Sequence, residues 1–210
     1  MITLVLVRKS GLPERTVRTT ESPEHRYQVE IVKRQFFVEH AVYLNAYRGQ
    51  DRVVNRELLF TGDFLDAGFQ ERYPNYLWVS ENILRIGRND VAERASEIVV
   101  SNESASAVSY LLLETMGDKA IIFDLAPETT VHLSFPFADE RFSGLCEMAA
   151  TGKRFGAGVE LADKNNQAPP DRIKIRLTKE ALTIEATEQQ LKPSYCCAPD
   201  RPAFDHQSQY

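Results

Sequence analysis

Short runs of β-forming residues, separated by turn-formers, recur through most of the chain. Residues 28–38, 42–47 and 53–60 carry Val, Ile, Phe and Tyr at strand length. Residues 76–79, 83–86 and 98–100 continue the series. Strand-length runs at this spacing are the pattern of a sandwich or barrel. Residues 108–114, 120–125 and 131–135 follow, joined by short turn segments, with Gly117 able to supply a positive φ in the first. Short connections favour antiparallel neighbours, so this stretch predicts a three-stranded meander. Nearer the end, Ile173, Ile175 and Leu177 alternate with Arg172, Lys174 and Arg176, and Leu182 and Ile184 continue after Lys179-Glu180. One buried and one solvated face is the signature of an antiparallel hairpin.

A second period interrupts the first. Phe142, Leu145, Cys146 and Ala149 fall at i, i+3, i+4 and i+7, with Asp139 as N-cap and Gly152 as C-cap. This spacing predicts a helix, which Gly144 weakens by about 1 kcal/mol. A shorter helix is predicted over 64–73, ended by Pro74. Residues 2–7 read as a strand, followed to residue 26 by an irregular arm containing Gly11, Pro13 and Pro23. Pro193, Pro199 and Pro202 punctuate a polar tail. The expected fold is mainly β: an antiparallel β-sandwich or partly closed barrel with one or two short helices. Its parts are an N-terminal strand and arm (1–26), a sandwich domain (27–187) and a proline-containing tail (188–210). A split near 88–96 into two small sheets is the alternative.

Composition narrows the class. Hydrophobic residues make up 43% and charged residues 26% of the 210, which excludes collagen-like, disulfide-scaffold and wholly disordered chains. Lys and Arg number 25 against 30 Asp and Glu, a net charge of −5. A nucleic-acid partner is not expected of such a chain. No apolar run approaches the ~18 residues of a spanning helix, so no membrane partner is expected either. In the 2–7 run the cations Arg8 and Lys9 follow the apolar residues, the reverse of a secretory leader. The odd set Cys146, Cys196 and Cys197, two of them adjacent, is not a disulfide framework and points to the cytoplasm. In that setting Asn102-Glu103-Ser104 reads as a chance match to a glycosylation sequon.

Candidate chemistry is sparse. His25, His40, His132 and His206 show no metal-ligand spacing, so neither a metal nor another cofactor is expected. Arg141-Phe142-Ser143-Gly144-Leu145 lacks the Gly-x-Ser-x-Gly elbow of an exposed serine nucleophile. Cys146, on the apolar side of the predicted helix, reads as a structural thiol. The glycines at 152, 156 and 158 surround Lys153 and Arg154 in the wrong order for a phosphate loop and read as a flexible connector. Asp63 and Asp66 define no carboxylate pair, and no catalytic residue is assigned.

Two surfaces remain. Phe64, Phe69, Tyr73 and Tyr76, interleaved with acids, form a candidate sugar- or peptide-binding patch. Trp78, between Leu77 and Val79, reads as core. Arg172, Lys174 and Arg176 form a positive stripe suited to an acidic partner. Replacing all three by Glu is expected to change stability little, because they alternate onto the solvated face. The resulting expectation is a non-enzymatic cytoplasmic binding or assembly module acting through a protein partner or a second copy of the chain. The alternatives are a hydrolase-like enzyme with a distributed acidic or histidine site, and a small-ligand or carbohydrate-binding sandwich using 64–78. Side-chain exposure separates the three. Converging His or acidic groups in a cleft favour the enzyme, an exposed aromatic shelf favours the ligand binder, and a flat apolar edge favours assembly.

Overall fold

The computed structural model describes residues 14–35, 39–63, 75–87, 95–115, 118–136, 141–160, 172–186 and 192–195. The regular structure of these residues is entirely β, fifteen strands in three sheets. The chain divides into two compact units, residues 1–71 and 72–210. The division falls inside the span 27–187 that the sequence pattern assigns to one body, and away from 88–96.

The first unit is a four-stranded sheet in chain order: β1 (Glu14–Glu21), β2 (Tyr27–Gln35), β3 (Glu39–Arg48) and β4 (Asp51–Asp63). All three pairings are antiparallel. Period-two alternation puts Tyr27, Val29 and Ile31 on one buried face with Val42, Leu44 and Ala46. β1 lies where the sequence suggests an irregular arm. Its four charges leave too few apolar residues to show a period, and its β-branched Thr and Val residues are placed by the ladder to β2.

The second unit packs two sheets on one core. A seven-stranded sheet has the order β15-β12-β11-β8-β9-β6-β5. Its members are β5 (Asn75–Ser80), β6 (Ile83–Gly87), β8 (Val108–Glu114), β9 (Asp118–Leu125), β11 (Arg141–Met148), β12 (Arg154–Glu160) and β15 (Lys192–Tyr195). A four-stranded sheet, β10-β7-β13-β14, comprises β7 (Ala95–Asn102), β10 (Thr130–Pro136), β13 (Arg172–Leu177) and β14 (Leu182–Ala186). Ile98, Val100, Phe135, Ile173 and Ile175 from the smaller sheet meet Leu111, Leu113, Ile122, Phe142 and Cys146 from the larger in one buried cluster. The arrangement is a sandwich, with no closed barrel among the described strands. The 172–186 hairpin forms as the alternation predicts, with Ile173, Ile175 and Leu177 buried and the intervening cations exposed.

Three local expectations are corrected. The predicted helix over 139–152 is strand β11 and the turn after it. Its inward set is Phe142, Gly144, Cys146 and Met148, a period of two in which glycine stands where a side chain would reveal the pattern. A Cβ added at Gly144 would lie 3.4 Å from Leu113 and 3.5 Å from Leu182 of the opposing sheet, ordinary contact distances at an inward position. Gly152 does adopt a left-handed φ of 65°, in the β11–β12 turn rather than at a helix end. The glycine-rich connector is itself mostly strand β12, paired with β11.

The third correction concerns the meander. β8 and β9 pair as expected, but the next strand, β10, crosses to the other sheet and pairs with β7. Left-handed φ values occur at Asp124, near the end of β9, and at Glu128 in the connection, 48° and 55°. A short connection can arch between layers as readily as it can close a hairpin, and this one arches. In the tail, Lys192–Tyr195 is extended and adds as an edge strand to β12. Pro193 is tolerated there because an edge strand can spare a donor. The shorter predicted helix at 64–73, the strand at 2–7, Gly117 and the rest of the tail lie outside the described residues.

Candidate functional site

Of the aromatic patch, only Tyr76 lies among the described residues; Phe64, Phe69 and Tyr73 do not. Tyr76 is half-buried on β5, as is Trp78, whose ring lies 6.0 Å from buried Phe123. Trp78 thus packs on the sheet without being fully enclosed.

The cationic stripe is exposed but locally neutralised. Arg172 Nε lies 2.5 Å from Glu97 Oε2 on β7, and His132 Nδ1 on β10 lies 2.8 Å from Glu97 Oε1. Arg176 Nε donates to Glu103 Oε1 at 2.8 Å, and its Nη1 lies 3.6 Å from Glu185 Oε1 on β14. Lys174 stands opposite Glu185 in the ladder. The alternation of β13 therefore builds cross-strand ion pairs instead of an isolated positive field. Replacing the three cations by Glu would set carboxylates against Glu97, Glu103 and Glu185, so a loss of stability now replaces the expectation of little change.

The same contacts give the sheet a pH dependence. The His132 hydrogen bond, and then Arg172, hold the Glu97 carboxyl below its ordinary value of 4.5. A group with a lowered folded pKa stabilises fully above its unfolded value, and that contribution fades as pH falls through the folded one. Wild-type protein is expected to lose this stabilisation below about pH 4.5. Urea midpoints between about pH 3 and 6 should fall less steeply with acid in Arg172→Gln. Identical acid limbs in the two proteins would contradict the assignment.

Asn102 ends β7 in a buried tie, only 1% exposed. Its Nδ2 group donates to the carbonyls of Ser106, Leu125 and Ala126 at 3.0–3.1 Å. Its Oδ1 accepts from the Ser104 backbone N–H at 3.1 Å and from the Ser104 hydroxyl at 2.7 Å. Both ends of the carboxamide are thus occupied, and the folded sequon has no room for a glycan. The tie holds the β9–β10 arch against the end of β7. Beside it, Ser101, Glu103, Glu128 and Thr130 line a shallow open hollow.

Cys146 is fully buried on β11, and burial pushes its thiol up to about 12. Only a thiolate reacts as a nucleophile. A thiol reagent at about pH 8 should therefore leave Cys146 unmodified in folded protein and modify it in urea, read by peptide mass mapping. Rapid native modification would refute the structural role. His25 meets Glu21 at 2.7 Å, His40 is buried 5.7 Å from the Phe60 ring, and His206 lies outside the described residues. Among the described residues no three His, Cys, Asp or Glu side chains group as a metal would require. No described helix is long and apolar enough to cross a membrane.

The surface that stands out is the β5 edge of the seven-stranded sheet. The core cluster draws on β6, β8, β9, β11 and β12 of that sheet and takes nothing from β5. Leu77, on the face turned toward that core, stays 58% exposed, and Val79, where the ladder to β6 slips, 53%. Across from Leu77, Arg85 of β6 pairs with the buried carboxylate of Asp118 at 3.1 Å. That pair requires glycine at 87, since a Cβ there would lie 1.8 Å from Asp118 Oδ1. The pair forms a polar rim between the closed core and the open apolar edge. Pattern reading missed this edge because Leu-Trp-Val in a strand reads as core. The available signal was the absence of charge across the strand, Asn75-Tyr76-Leu77-Trp78-Val79-Ser80.

Comparison with protein-family models, curated proteins and solved structures finds no match to this chain.

Proposed function

We propose that the protein is a non-enzymatic binding or assembly module that acts through protein contacts at the β5 edge. The observation that supports this is the exposure of Leu77 and Val79 on β5, the edge strand of its sheet among the described residues. Such an edge is a template for adding a strand. Complete burial of a Leu or Val side chain gains about 1.5–3 kcal/mol, and roughly half of that is still available at each position. The cytoplasmic setting rests on the cysteine usage and on Cys146 being a free thiol. The stripe Arg172, Lys174 and Arg176 is a weaker candidate surface, because Glu97, Glu103 and Glu185 already answer its charge.

The test is a photo-crosslinking amino acid placed at 77, at 79 and, as a control, at 174, in chains expressed in cells. Discrete adducts at 77 and 79 and none at 174 are expected. An adduct of twice the chain mass marks self-contact, and any other discrete mass marks a different protein. No adduct at either edge position would overturn the reading.

A further inference from the structure

We draw no further inference here: the strongest candidate, the surface patch along β3 and β4 where Arg52 and Arg56 lie over the rings of Tyr47 and Tyr43 beside exposed Leu58, carries nothing, because Glu14, Asn55 and the Tyr47 hydroxyl already partner both cations and nothing in the structure shows what covers it.

Discussion

Replacing Ile175 by Asp is expected to abolish cooperative folding of the 72–210 unit. Ile175 is fully buried at the centre of β13, opposite Val100 of β7 and Ile184 of β14. Removing the side chain alone costs about 2–5 kcal/mol in transfer and cavity terms. The carboxyl then either stays ionised without a partner or takes up a proton, and either course adds several kcal/mol more. The sum reaches the ~5–15 kcal/mol that holds a domain together. Ile175→Val, a loss of about 0.5–1.5 kcal/mol, is the control that preserves the fold. Urea titration followed by circular dichroism reads both. A wild-type transition in Ile175→Asp would show that β13 does not face the core.

The second large effect is expected at Asn102. Asn102→Ala leaves the carbonyls of Ser106, Leu125 and Ala126, and the N–H of Ser104, without their side-chain partner. A buried group left unsatisfied costs about 1–3 kcal/mol. Partial re-pairing reduces the total to roughly 3–5 kcal/mol, read from the urea midpoint. Asn102→Asp keeps the shape but aims a carboxylate at three carbonyl oxygens. Its folded pKa should be raised, so the penalty is absent below the unfolded Asp value of about 3.9 and grows as pH rises above it. The variant should therefore approach wild type in acid, the opposite slope to the Glu97 contribution. Loss of less than about 1 kcal/mol in Asn102→Ala would mean that the arch stands without the tie.

The chain declares its β class openly, because alternation and β-branching are local properties. β13 is legible residue by residue, since each inward position holds a large apolar side chain and each outward position a cation, and Leu182 and Ile184 of β14 continue the inward set. β11 is not, because Gly144 removes one signal from the inward set and leaves a spurious helical spacing. Met148, one place off that spacing, was the trace of the true period. The arch from β9 to β10 is invisible for a different reason. Its length is that of a hairpin, and the layer it reaches depends on β7, far upstream. The exposure of the β5 edge is hidden because that of Leu77 and Val79 follows from the width of one sheet against the other, a tertiary quantity. The partners of the cationic stripe lie on other strands, with Arg172 and Glu97 separated by 75 positions.

That same separation governs how the molecule is assembled in time. β7 and β13 run parallel, from Arg172 opposite Glu97 to Leu177 opposite Asn102, and every strand from β8 to β12 lies between them in the chain. The β8–β9, β11–β12 and β13–β14 hairpins close short loops and can form early, on the order of microseconds. The parallel pair must bring together segments that no local turn preorganises, and its loop-closure entropy is lost before any core contact compensates. One edge of β7 therefore stays unpaired until β13 has been synthesised and docks. The slow step in folding is expected to be the insertion of the β13–β14 hairpin beside β7, and the nascent chain should be most prone to aggregate in the interval before it.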